Sequence, residues 1–183
     1  IETPISPELN KKEISKYFIT QNWKNVWGAS SQIDHLLFFL KFSNSSVERK
    51  DYLSKFCLEQ AIEYKEKFFE FDKNENELDL IGGWMKLFMG FSFFNLSKGL
   101  FEPKIVDICL RNLERNDACE SFNTIYVLSK CIEISDYRKT EVIKKVLDIC
   151  GEWRFFFHEN FNGFSFKKDK SIEYYYGARV TYG

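Results

Sequence analysis

The chain has 183 residues, of which 44% are hydrophobic and 29% charged, and a net charge of −1. That length suits one domain with a sizeable core, and the balance excludes an intrinsically disordered chain. The near-neutral charge gives no electrostatic reason to expect nucleic acid, because the Lys-Lys pairs at 11–12, 144–145 and 167–168 are scattered among acids. Few breakers and many long side chains favour helix throughout. In chain order, the first expected helix is Lys11–Gln21. Trp27-Gly28-Ala29-Ser30-Ser31 separates it from Ser30–Phe42, with the serines placed to cap. After the polar turn Ser43-Asn44-Ser45-Ser46, a long charged helix is expected over Val47–Phe71, striped by Phe56, Cys57, Gln60, Ala61, Tyr64 and Phe68.

Asp72–Asp79 reads as a polar loop. Gly82-Gly83 then brings the backbone close to a neighbour ahead of Trp84, Leu87, Phe88, Phe91 and Phe94. Pro103 opens the next helix, where Ile105, Val106, Cys109, Leu110 and Leu113 form one apolar stripe. Asn116-Asp117 turns the chain into a helix containing Phe122, Ile125, Tyr126, Val127 and Ile132. Lys139–His158 is expected as a striped helix carrying Val142, Ile143, Val146, Leu147, Cys150, Trp153 and Phe157. A loop around Asn162-Gly163-Phe164 follows, and a further apolar helix is expected to begin within Tyr174–Gly183.

Three segments, Ile33–Phe42, Ile81–Leu96 and Ser121–Ile134, are apolar on nearly every helical face, and each follows a helix apolar along one stripe. An all-round apolar helix must be enclosed, whereas a striped one can face water. The alternation therefore predicts an all-α fold of helix pairs in two layers. Asp107-Ile108-Cys109 and Asp148-Ile149-Cys150 recur at the same phase of two striped helices, as a helical-repeat array requires. The expectation is a single helical-repeat domain over residues 1–183. Because the chain starts at Ile, it is expected to be a piece of a larger protein.

The layered pattern, with the loop His158-Glu159-Asn160-Phe161-Asn162-Gly163-Phe164, resembles the (α/α) toroid of terpene cyclases and prenyltransferases. Only the final Gly and Phe match that family's Q-N-x-D-G-G-F loop. The resemblance implies a partial toroid whose inner aromatic face binds an apolar, isoprenoid-like ligand. The D-x-D-D and D-D-x-x-D acids of the cyclases are absent; the nearest string is Glu77-Leu78-Asp79-Leu80. The zinc-binding prenyltransferases use Asp, Cys and His, types that Asp117, Cys119 and His35 supply without a spacing that joins them. No metal site and no cofactor are expected.

This phasing places Trp27, Trp84, Asp117, Glu120, Tyr174, Tyr175 and Tyr176 at inner-helix starts as candidate ligand-binding residues. His35 and Asn123 are the candidate catalytic pair. A histidine can act as general acid or base, and an amide on an apolar helix needs a partner. A buried, hydrogen-bonded structural histidine is the competing reading of His35, and helix capping that of Asp117 and Glu120. The tyrosines, with Gly177 and Arg179, suit a sugar, a lipid head group or a protein. Five cysteines without C-x-x-C spacing read as free thiols of a cytoplasmic protein, with Cys57, Cys109 and Cys150 as small core residues.

No signal peptide or transmembrane segment is visible, and a soluble protein is expected. Nucleotide-binding, dinucleotide-binding, HExxH and nucleophile-elbow motifs are absent. Three functions stay open: a toroid module binding an apolar or glycan-like ligand, a non-catalytic helical-repeat interaction module, and a polysaccharide-lyase-like enzyme. The partner is then a small apolar or glycan ligand, a protein, or the remainder of the chain. Bare apolar faces predict self-association or binding of the dye ANS.

Overall fold

A computed structural model gives the protein's structure and describes residues 9–71, 77–113, 118–158 and 163–164. Among them the fold is all-α, apart from one two-residue ladder. The chain divides into two compact units, Ile1–Glu102 and Pro103–Gly183.

The first unit holds α1 (Lys11–Thr20), α2 (Val26–Phe42), α3 (Val47–Phe71) and α4 (Glu77–Ser92). α1 begins where the Asn10 side-chain oxygen accepts from the backbone N–H groups of Lys12 and Glu13, at 2.9 and 3.2 Å. Its Ile14 and Phe18, one turn apart, are buried. The Trp23 indole N–H donates to the Phe18 carbonyl at 2.9 Å and closes the turn into α2. The rings of Phe18, Trp23 and Tyr64 cluster there, with centroids 5.4–6.1 Å apart. α2 starts one turn earlier than its serines imply. The cap is Asn25, whose side-chain oxygen accepts from the Gly28 N–H at 2.8 Å.

α1 packs on α3 and α2 on α4, while α3 also touches α2 and α4. Both like pairs run parallel. A Cβ on Gly83 would meet Val26 and Ser30, and one on Gly90 would meet Asp34 and Leu37, so α2 and α4 advance together. Along the other pair, Arg49 reaches the Leu9 carbonyl and Lys11 lies over Tyr52 and Phe56, while Tyr64 meets Phe18. The glycines let the α4 backbone approach α2 closely, the contact the Gly82-Gly83 pair predicts. α4 is enclosed as expected over its own length, with Leu80 to Met85 without a gap, then Leu87, Phe88, Gly90 and Phe91, buried. The rest of the expected Ile81–Leu96 segment is corrected, since Phe93, Phe94 and Leu96 lie past the helix end and are only half-buried. Each large side chain there contributes roughly 1.5–3 kcal/mol by leaving water. Beyond Ser92, Asn95 adopts a left-handed conformation (φ 58°). Its N–H donates to the Ser92 carbonyl and that of Leu96 to the Phe91 carbonyl, a Schellman stop.

The second unit holds α5 (Pro103–Arg111), α6 (Ala118–Ile134) and α7 (Lys139–Glu152). α5 packs on α6 and α6 on α7. The α5 stripe Ile105, Val106, Cys109, Leu110 and Leu113 is buried as expected. α6 departs from expectation: it buries one face, through Ser121, Thr124, Val127, Leu128 and Cys131, and leaves Phe122 exposed. α7 ends at Glu152 rather than His158. A 3-10 turn over Trp153–Phe156 leads into β1 (Phe157–His158), antiparallel to β2 (Gly163–Phe164). Cys57, Cys109 and Cys131 are buried, whereas Cys150 is exposed, so its core assignment is corrected. Burial in apolar surroundings pushes the Cys57 and Cys131 thiols up to about 12, which leaves them protonated.

Candidate functional site

The face of α2 turned away from α4 is the candidate site. At 100° per residue, Trp27, Ser31, His35, Phe38 and Phe42 fall within an arc of about 80°. Val26, Ser30, Ile33, Leu37 and Leu40 lie on the opposite side and are buried. The open arc carries Trp27, Phe38 and Phe42 at 47%, 43% and 55% exposure, with Phe39 beside it at 37%. Phe38 is the hub of a ring cluster, 5.7 Å from Phe39, 4.8 Å from Phe42 and 5.8 Å from Phe93, which follows α4. Phe42 and Phe93 close it at 6.2 Å. The parallel seam produces this surface: it carries the ends of α2 and α4 to the same place. The expectation that Ile33–Phe42 is enclosed is thereby corrected.

His35 stands exposed at one edge of this arc, midway along its length, and makes no hydrogen bond among the described residues. The buried, hydrogen-bonded reading of it is corrected accordingly. Its neighbour Asp34 points instead into the α2/α4 seam and is nearly buried, with Lys86 Nζ 4.0 Å from its carboxylate. Loss of water raises the Asp34 carboxyl above its usual range, and the charges of Lys86 and His35 pull it part of the way back. A carboxyl raised on folding contributes most below its unfolded value, and that contribution is lost as the pH rises through the folded value. Asp34→Asn is therefore expected to melt higher than the parent protein at pH 7, the difference closing below about pH 4. Thermal melts across pH 3–8 check this; an Asn variant less stable at pH 7 contradicts it.

The remaining candidates are dispersed. Trp84 is fully buried, its indole N–H donating to the Leu100 carbonyl at 3.3 Å and its ring 5.2 Å from Phe69. No ligand reaches it, so its placement at a cavity mouth is corrected. Asn123 and Glu120 lie on α6, in the other unit from His35, and both are half-buried. The Glu120 carbonyl accepts from the Thr124 hydroxyl at 2.8 Å. Asp117, Tyr174, Tyr175 and Tyr176 lie outside the described residues.

Sequence reasoning missed Phe38, Phe39, Phe42 and Phe93 as a surface. The arc of Phe38 and Phe42 with Trp27 and His35 is legible in the spacing, but the all-round apolarity of the segment hides which side is open. Chemically, the arrangement offers aromatic faces to an apolar group and one imidazole for a hydrogen bond.

Among the described residues, no group of three or more His, Cys, Asp or Glu side chains is placed to hold a metal ion. No described helix is long and apolar enough to cross a membrane. Compared with known proteins, the chain matches no family model, no curated protein and no solved structure.

Proposed function

We propose that the chain is a helical interaction module whose binding surface is the aromatic face of α2, and that its occupant is an amphipathic helix of a partner protein. The observation carrying this reading is the row of water-exposed rings, Trp27, Phe38, Phe39 and Phe42, on one helix. The rings cluster at Phe38, Phe39 and Phe42, with Trp27 farther along the same face beyond Ser31 and His35. Exposed apolar surface marks interaction sites, and aromatics are enriched there. The row runs from Trp27 to Phe42, about 22 Å at 1.5 Å per residue. A straight ridge of four turns suits another helix better than a compact ligand. Lys24 and Lys41 stand exposed at its two ends, and the only acid of α2, Asp34, is turned into the seam. The partner helix accordingly carries acids beside its apolar stripe.

A second reading draws on the parallel pairing of α1 with α3 and of α2 with α4. Outer and inner layers of an (α/α) toroid are ordered in this way, and the same aromatic face would then receive an isoprenoid-like chain. The glycan-processing reading relies on Tyr174–Tyr176, outside the described residues, and gains no support.

Calorimetry with the intact chain separates these readings. An acidic amphipathic helical peptide is expected to bind saturably, a scrambled peptide of the same composition not to bind, and a farnesyl-chain analogue to bind more weakly. Phe38→Ser with Phe42→Ser should abolish peptide binding and most ANS fluorescence. Stability should fall by about 1–3 kcal/mol, because the ring contacts of Phe38 and Phe42 go with them, while the helical circular dichroism spectrum is kept. Equal binding of the scrambled peptide, or full binding by the double variant, contradicts the proposal; preference for the farnesyl analogue transfers it to the second reading.

A further inference from the structure

The second unit contains a groove of about 700 Å³ that none of the preceding functions uses. It is lined by Asp107, Leu110 and Arg111 of α5, by Tyr137 and Arg138 at the start of α7, and by Lys145 one face along that helix. Three cations and one carboxylate line the groove, and that carboxylate is engaged by Arg138. The Tyr137 hydroxyl donates to both Asp107 oxygens at 3.2 Å, and Arg138 Nη1 donates to Oδ1 at 2.6 Å. Glu141 holds the other side of the guanidinium, accepting from Nε and Nη2 at 2.8 Å each. A guanidinium has five N–H donors. Three are taken by these carboxylates, which fix the plane of the group, and two are left.

Arg138 reaches this position from a left-handed backbone conformation, φ 50° and ψ 23°, that non-glycine residues rarely adopt. Local strain of this kind concentrates at binding and catalytic sites. Lys145, half-buried along the groove, forms no ion pair among the described residues. Leu110 adds an apolar wall. From this geometry we infer that the groove binds a phosphate group, with Lys145 as the charge that recognises it, the held Arg138 as a positioned donor, and Leu110 against the carbon frame of an organic phosphate. Planar guanidinium and ammonium groups together suit a tetrahedral oxyanion.

The test is a titration of the full chain at low salt with inorganic phosphate, phenyl phosphate and phenol, followed by calorimetry. Phenyl phosphate is expected to saturate the groove at about 1 mM or below, to weaken as salt is added, and to bind better than phenol. Tighter binding of phenyl phosphate than of inorganic phosphate identifies an organic phosphate as the source; equal binding identifies the free ion. Lys145→Gln is expected to weaken binding about tenfold, the usual scale for losing one charge-assisted hydrogen bond, with the melting curve unchanged. Lys144→Gln, exposed and outside the groove, should leave it within about twofold. Phenol binding as well as phenyl phosphate, equal effects of the two lysine variants, or no saturable phosphate binding overturns the inference. If Lys145→Gln fails to fold, Lys145→Arg is used, and an unchanged salt dependence with no groove-residue shifts in an NMR titration overturns it equally.

Discussion

Trp84→Ala is expected to destabilise the first unit by about 3–5 kcal/mol, the range for deleting a buried aromatic side chain. Trp84 is fully enclosed in the middle of α4, with Leu87, Phe88 and Phe91 buried beyond it. Little can move into the space its indole leaves. The Leu100 carbonyl also loses its donor, an acceptor 3.3 Å from the indole nitrogen. Trp84→Phe separates the two contributions. It restores much of the volume but not the hydrogen bond, and should cost about 1–3 kcal/mol from the unpaired acceptor and the residual gap. Urea denaturation followed by circular dichroism measures both. A loss below about 1 kcal/mol for the Ala variant would return Trp84 to a solvent-facing wall, because surface substitutions have effects of that size.

Gly83→Ala should destabilise the protein by about 1–3 kcal/mol, the cost of forcing extra volume into a packed seam. Helix propensity alone gives the opposite sign, since Ala in a helix interior is favoured over Gly by nearly 1 kcal/mol. What decides is the distance between helices. A Cβ at Gly83 would stand 2.7 Å from a Val26 methyl and 3.0 Å from the Val26 carbonyl oxygen, a backbone atom that cannot rotate away. Gly90 repeats the constraint two turns on, where the new atom would stand 3.0 Å from the Asp34 Cα. Gly151 is the contrasting case: nothing lies within 4 Å of its Cβ position, so Gly151→Ala should be neutral or stabilising. If Gly83→Ala and Gly151→Ala both stabilise, α2 and α4 are not in close parallel contact.

The helices themselves were legible in the sequence because their existence depends on local properties. α3 matches its expected span, and Pro103 opens α5 as its preference for first-turn positions predicts. The Gly82-Gly83 signal was also sound, because a pair of side-chain-free positions in an apolar helix has few uses other than close approach. Burial was less legible. All-round apolarity reports how a side chain partitions, not whether a neighbour exists to cover it. α4 has neighbours on every side; α2 is covered on the α4 side and open on the other. The same reason explains α6 and Cys150. His35 followed α2 into water, while Asp34, one residue earlier and about 100° around the helix, turned into the seam. The cap of α2 was misplaced because Ser30 and Asn25 are both good capping residues. Packing of Val26 against Gly83 of α4 extends the helix back to Asn25. The groove in the second unit depends on Asp107, Arg138 and Lys145, which sequence distance separates, so no spacing pattern announced it.

Hydroxyl-radical footprinting of the phenylalanines of the first unit, read by mass spectrometry, tests most directly that α2 presents open rings on one side and is locked to α4 on the other. Phe38 and Phe42 should be oxidised about tenfold or more faster than Phe88 and Phe91, as their contrast between exposure and full burial requires. Comparable rates across the four, or protection of Phe38 and Phe42 in the isolated monomer, would contradict it.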